Sequence, residues 1–350
     1  MSPTFAERTV SLPCPPERVD EFLSQPSAAV VALAKTWRGT VLVLGAGGKM
    51  GLHLSWMLAE AIRRAESPAR VIAVSRFQTL RDRGTFDAAS IQTIAADLHD
   101  ERQVKRLPEA EVVFFLAGVK FGTTSDRALL QQMNVEVPRI VARRFSGARI
   151  VALSSGCVYP FVPVASGGAT ELTPVAPPGD YARSCLGREL EFSLVSQARQ
   201  TPVALVRLNY AVEFRYGVLV DIATKVMRGD VVDVTTGHVN VIWQRDAIEH
   251  VILYSTLAAS PAAPINLTGE AILSVRTLAG DFGRLLGAVP RIGGVESPDA
   301  WLNDASRAHQ RFGKPSTSLA EMQQWIVAWL LAEGRTWGKP TAFENRNGNF

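Results

Sequence analysis

The residues of this chain best placed to do chemistry are a run of glycines, Gly45-Ala46-Gly47-Gly48-Lys49-Met50-Gly51. Gly45, Gly48 and Gly51 recur at every third position, and their missing side chains allow a tight turn and close approach of backbone to an anion. The four residues before the run, Val41–Leu44, are all apolar, and Leu52-His53-Leu54-Ser55-Trp56-Met57-Leu58-Ala59 after it carries a helical pattern. Strand, glycine turn and helix in that order aim the helix N-terminal amides, with their partial positive charge, at a phosphate. A dinucleotide pyrophosphate needs that arrangement. The other reading is a tight strand-to-helix turn that serves packing alone.

No comparable constellation points to a metal. Cys14, Cys157 and Cys185 are widely spaced, lack metal-ligand spacing, and fit a reducing, cytoplasmic compartment. The formal net charge is only +4 and the basic residues are scattered, so no stripe of the kind nucleic acid requires is present. No apolar run approaches the about 18 residues that a membrane span needs, and the first residues carry no signal-peptide pattern. With 47% hydrophobic and 20% charged residues, the composition is that of an ordinary globule.

The elements that must position the glycine turn follow a strand–helix rhythm. Strands are expected at Val41–Leu44, Val71–Val74, Ile91–Ala95, Val112–Leu116, Arg149–Leu153 and Val203–Leu208. Helices are expected at Met50–Ala65, Asp126–Arg144 and Tyr181–Gln197. Strands this apolar throughout require a parallel sheet covered by helices on both faces, hence an α/β, Rossmann-type doubly wound fold. Residues 1–38 read as an extension with short helices at Val19–Leu23 and Ala28–Trp37. Residues 39–212 form the dinucleotide-binding domain. Residues 213–350 form a smaller substrate-binding region and tail, with segments near 240–268 returning to the core sheet. In that region helices are expected at Val218–Arg228, Arg245–Leu257, Arg276–Leu286 and Leu319–Leu331, and a strand at Pro264–Leu267; the tail after Glu333 is polar and Gly-rich.

Several motifs stand in one register: Val41 to Gly51, Asp97-Leu98-His99-Asp100, Ala117-Gly118, Asn134-Val135, Ser154-Ser155-Gly156-Cys157-Val158-Tyr159, and Tyr181-Ala182-Arg183-Ser184-Cys185-Leu186-Gly187-Arg188-Glu189. In order and spacing they resemble the extended short-chain dehydrogenase/reductase family, also called the NAD-dependent epimerase/dehydratase family. The resemblance runs from about Gly39 to Leu331. The chain is also similar to a bacterial subgroup with a Lys-Pro-Thr like Lys339-Pro340-Thr341 near its C-terminus.

The resemblance implies an NAD or NADP cofactor. Gly45, Gly47, Gly48, Lys49, Met50 and Gly51 would hold the pyrophosphate. Ser75 and Arg76 end the second strand, where an acid would hold the ribose hydroxyl of NAD; an arginine suits the 2′-phosphate of NADP, and Lys49 could add a second cation. NADP is therefore the favoured cofactor. Asp97 and Leu98 would face the adenine, although an Asp at a strand end can equally cap a helix. Leu116, Ala117, Gly118, Leu208 and Asn209 would lie along the cofactor, with Asn134 as a polar residue in mid-helix.

For catalysis, the resemblance implies that Tyr181 shuttles a proton, Ser155 polarises the reacting oxygen, and a lysine one helical turn after the tyrosine lowers its pKa. That lysine position holds Cys185. A neighbouring cation lowers a tyrosine pKa of ~10 by about 1–3 units, so its loss costs roughly 1.4–4 kcal/mol. Lys120 can reach in from the opposite wall, the cofactor charge can supply part of the field, or Cys185 can act as a thiol acid–base or redox group if a positive neighbour lowers its pKa. A buried, inert cysteine is the plainer alternative.

Tyr210, Arg215, His238, Asn240 and Trp243 are candidate substrate-binding groups, suited to the planar hydrogen bonding and aromatic faces that sugars take. The expected activity is an oxidoreductase, epimerase or dehydratase acting by hydride transfer on a carbohydrate, nucleotide sugar or other hydroxyl-bearing small molecule. A cofactor-binding regulator or sensor that has lost turnover is the alternative. Leu129, Leu130, Met133, Val137 and Val141 form an apolar stripe that fits a homodimer built on two long helices, or packing on the chain's own sheet.

Overall fold

A computed structural model describes residues 10–78, 83–120, 126–339 and 341–346. Seven strands form one parallel sheet: β1 Thr40–Leu44, β2 Arg70–Ser75, β3 Gln92–Ala95, β4 Val112–Phe115, β5 Arg149–Ser155, β6 Val203–Leu208 and β7 Ala263–Leu267. Their order is β7-β6-β5-β4-β1-β2-β3, every neighbouring pair being parallel. The chain winds outward from β1 in one direction, returns, and winds outward in the other. This is the doubly wound, Rossmann-type α/β fold.

Alternation along β1 explains the two layers. Val41 and Val43 pack into one core with Leu52, Leu54, Met57 and Leu58 of the Gly51–Arg64 helix, whereas Leu42 and Leu44 pack into the other with Val137, Val141 and Phe192. All five residues of β1 are buried, as a strand covered on both faces must be. A third apolar body gathers the Val218–Arg228, Val275–Leu286 and Leu319–Leu331 helices around Phe214, Trp243 and Phe282. Val19 and Leu23 from the N-terminal segment and Phe343 from the tail join it, so the polar, Gly-rich tail is anchored by a fully buried aromatic.

The helix expected at Asp126–Arg144 is interrupted. Arg127–Gln131 and Val137–Arg144 are α-helical, and between them Gln132–Glu136 opens into a wider π-type turn. Val137 and Val141 of its apolar stripe pack on the chain's own sheet, and Leu130 is buried as well. The helix expected at Arg245–Leu257 runs Gln244–Leu253 and tightens into a 3₁₀ turn over Tyr254–Leu257. Among the described residues no helix is long and apolar enough to cross a membrane.

Candidate active site

The carboxyl ends of β1, β4, β5 and β6 share one sheet edge, and β1 and β4 are the neighbours between which the winding reverses. Ligands of open α/β sheets bind at such a switch point. Gly45 makes the turn after β1 with φ of 89°, its N–H and that of Ala46 both donating to Val74 O, at 2.9 and 3.1 Å. A Cβ on Gly45 would lie 2.6 Å from the Ala117 nitrogen, and one on Gly51 would lie 2.4 Å from the Ala46 carbonyl oxygen. Gly45 is therefore required twice over, by conformation and by close packing, and Gly51 by close packing. The 14-residue Gly51–Arg64 helix starts behind them with its amides facing the turn.

Beside this cradle lies a cavity of about 260 Å³. Its walls include Lys49 and Met50 from the glycine turn, Leu116, Gly118 and Lys120 after β4, Ser155 at the end of β5, Tyr181 from the Gly179–Arg199 helix, and Leu208, Asn209 and Tyr210 after β6. Residues far apart in sequence thus meet on one surface. Cys185 lies just behind that wall, fully buried, within hydrogen-bond reach of Tyr181 and Cys157.

The loop after β4 is braced from behind. Asn134, wholly buried in the π-type turn, accepts from Val119 N at 3.0 Å, donates to Val119 O and to Ser184 Oγ, both at 2.9 Å, and accepts from Arg188 Nη2 at 2.7 Å. The end of β5 is held likewise: Ser154 Oγ donates to Glu189 Oε1 at 2.6 Å, and Glu189 pairs with Arg207, which also donates to the Tyr159 hydroxyl.

Charge inside the cavity is dominated by cations. Lys49 Nζ stands 3.2 Å over the Tyr216 ring, and burial together with the charges of Lys120 and Lys339 pulls its ammonium down to about 7. Burial also lowers Lys120, whose Nζ lies 3.5 Å from Thr341 O and 5.8 Å from the Tyr181 ring centre. Burial and the neighbouring Cys185 and Cys157 push the Tyr181 hydroxyl well above the usual tyrosine range, so it is a phenol at neutral pH. The Cys185 thiol is shifted down, by the Cys157 thiol donating to it, by the charge of Arg188 and by the Tyr181 hydroxyl.

Residues 41–212 match the family model of the NAD dependent epimerase/dehydratase family. These residues form a domain of that family. The chain is therefore an enzyme of the NAD-dependent epimerase/dehydratase kind. Solved structures agree on the fold. A UDP-galactose 4-epimerase superposes with a TM-score of 0.68 at 21% identity, covering 84% of this chain and 99% of that one. The dTDP-glucose 4,6-dehydratase DesIV of Streptomyces venezuelae, with NAD and TYD bound, gives 0.71 at 18% identity, covering 84% and 97%. MoeE5 in complex with UDP-glucose and NAD gives 0.66 at 20%, covering 84% and 99%. No curated protein matches the chain in sequence.

In this epimerase/dehydratase, several residues singled out from sequence have other work. Lys49 turns into the cavity, against Tyr216 and toward Lys120, instead of joining Arg76. Arg76 is exposed just beyond β2, after Ser75, whose hydroxyl accepts from Phe77 N at 3.4 Å. Asp97 accepts from His99 N at 3.0 Å in a turn, while Asp100 caps the next helix; Leu98 is buried in the core. Arg215 is buried between Glu213 and Asp20, its charge matched within the protein, and Trp243 is buried among Phe214 and Trp325. Asn240 is spent on Asn209 and the Asn303 carbonyl, and His238 pairs by backbone with Ser274. None of Arg215, His238, Asn240 and Trp243 lines the cavity.

The wall also holds residues that sequence reasoning missed: Cys157, Arg188, Tyr216, Gln244, Trp301 and Thr341. Cys157 and Arg188 stood inside quoted motifs, next to residues with expected roles. Thr341 had only the Lys339-Pro340-Thr341 motif to mark it, and Pro340 lies outside the described residues. Its N–H and hydroxyl both donate to Asp221 Oδ2, at 2.7 and 2.6 Å, which clips the tail against the cavity.

Proposed function

We propose that the enzyme uses NAD(P) to act on a hydroxyl or carbonyl carbon of a sugar-like small molecule, with Tyr181 moving the proton and Ser155 polarising the oxygen. One observation carries this reading: Ser155 and Tyr181, from the end of β5 and from a distant helix, line the same cavity beside the glycine cradle. The cradle fits the cofactor, because Gly48 is exposed on the open side of the turn, where a Cβ would meet only the Gly45 carbonyl oxygen at 3.3 Å, and so leaves room for a phosphate. When bound, the nicotinamide supplies the hydride acceptor or donor. Tyr181, held as a phenol, is ready to give its Oη proton to a substrate oxygen that Ser155 Oγ also bonds. Gly45, Gly47, Gly48 and Met50 would hold the pyrophosphate, Leu116, Ala117, Gly118, Leu208 and Asn209 the nicotinamide half, and Ser75, Arg76, Asp97 and Leu98 the adenosine half.

Arg76, exposed at the end of β2, supports NADP over NAD, since a guanidinium pairs with a 2′-phosphate in bidentate fashion. Tyr210 and Trp301 in the wall support a sugar, and the structures bound to UDP-glucose point to a nucleotide sugar. Calorimetry with NADPH and NADH, in wild type and Arg76→Ala, checks the cofactor: tighter NADPH that levels in the variant is expected, and tighter NADH refutes the preference. Incubation with the bound dinucleotide and a set of nucleotide sugars checks the reaction. Cys185 at the lysine position favours the second reading, a dinucleotide-binding regulator, whose signature is dinucleotide binding with no turnover of any sugar.

Leu190 and Leu194, one turn apart on the Gly179–Arg199 helix, are 57% and 61% exposed. They support a homodimer through that helix, and a monomer in sedimentation would refute it. Three free thiols suit a reducing, cytoplasmic setting.

A further inference from the structure

Tyr181, Cys185 and Arg188 stand at i, i+4 and i+7 of one helix and therefore share one face. Arg188 is only 7% exposed and lines the cavity. Its Nη1 donates to Leu153 O and its Nη2 to Asn134 Oδ1, both at 2.7 Å. Those acceptors are neutral, and no carboxylate pairs with Arg188 among the described residues. Its Nε is buried with no partner. Gly118 makes room for it, since a Cβ there would lie 2.3 Å from Nη2. A buried guanidinium without a counter-charge is costly, and a nearby group that takes on negative charge offsets that cost.

What lies nearby is the pair of thiols. Cys157, after β5, and Cys185 are within hydrogen-bond reach of each other, and Tyr181 is within reach of Cys185. The charged and titratable groups facing Cys185 are Cys157, Lys120 from the loop after β4, and Tyr181, Arg188 and Glu189 from its own helix. Glu189 is already paired with Arg207.

We infer that Arg188 is a positioning residue that supplies, from one turn along the helix, the fixed cation the Cys185 position lacks, holding Cys185 Sγ as the acceptor for the Tyr181 hydroxyl. This rests on the functional reading above. As Tyr181 Oη takes the proton of a substrate hydroxyl, its own proton passes to Cys185 Sγ, which stands as the thiolate before the step. One O–H bond breaks on the substrate and one on Tyr181, while one O–H forms on Tyr181 and one S–H on Cys185. The reverse transfer returns both protons.

The test is a pH titration of the thiolate by ultraviolet absorbance in the full-length chain, with Cys185→Ser and Cys157→Ser assigning the signal. Arg188→Met should raise the Cys185 midpoint by about 1–3 pH units, and Arg188→Lys should restore most of the shift. The limb of the kcat–pH profile that tracks this group should move with it. An unchanged midpoint in folded Arg188→Met overturns the inference. If that variant does not fold, wild type decides: Cys185 titrating at or above the ordinary thiol value of ~8.5 overturns it as well. Binding of NADPH and of NADH, followed by their fluorescence, reports on the functional reading separately. Failure of wild type to bind either NADPH or NADH ends that reading, while the thiol titration still judges Arg188.

Discussion

Replacing Gly45 by alanine separates the two demands placed on the glycine turn. At φ of 89° a side chain costs about 1–2 kcal/mol. The new methyl would also stand 2.6 Å from the Ala117 nitrogen, 2.8 Å from its Cα and 2.9 Å from the Leu116 carbonyl carbon. Those atoms are backbone at the end of a central strand and cannot swing aside as a flexible side chain would. Overpacking of this kind costs about 1–3 kcal/mol. The sum, roughly 2–5 kcal/mol, is a large share of the about 5–15 kcal/mol that holds a typical domain together. Gly48→Ala is the contrast. Gly48 is exposed, its φ is not left-handed, and its methyl would meet only the Gly45 carbonyl oxygen at 3.3 Å. Its stability should change by less than about 0.5 kcal/mol. A methyl on the open side of the turn nonetheless stands where a phosphate would approach, so dinucleotide affinity should fall about tenfold or more, about 1.4 kcal/mol. Denaturant unfolding and NADH titration of both variants read these quantities. Gly45→Ala with wild-type stability would refute the packing argument, and Gly48→Ala with wild-type affinity would refute the cradle.

Arg207→Met leaves Glu189, 3% exposed, as a buried carboxylate without its cation, and should cost about 3–5 kcal/mol in urea unfolding. Asn134→Ala strips partners from Val119 N, Ser184 and Arg188; a loss of about 1–3 kcal/mol with weaker NADH binding is expected, and unchanged binding would mean that the loop after β4 needs no brace. His250 is buried, and burial with the charge of His309 lowers it from 6.5 to about 4, so the folded state binds fewer protons than the unfolded state between those values. Its contribution is complete above about pH 6.5 and is lost as pH falls toward 4, so stability should drop by about 2 kcal/mol between pH 7.5 and 5, and His250→Phe should flatten that loss.

Much of the fold could be read from local pattern. Val41–Leu44, Val112–Leu116 and Val203–Leu208 are too apolar for a half-exposed strand, and burial on both faces is what makes such runs uniform. The glycine turn was legible because φ above zero and backbone contact each exclude side chains, which leaves a mark on single residues. Ser155 and Tyr181 were legible through motif spacing. Which other residues share their wall was not, because the cavity is made by loops that follow different strands and by a tail more than 150 residues after Tyr181. Side-chain direction was equally hidden. Lys49 could face a phosphate or the cavity, and Tyr216 beside it shows the outcome; Arg215, apt for a substrate, is consumed by Glu213 and Asp20. Cys185 read in isolation is a lost lysine. Arg188, one turn on, shares its helix face, but only packing buries that guanidinium under Gly118 against neutral acceptors, and it is burial away from water that makes a nearby charge strong.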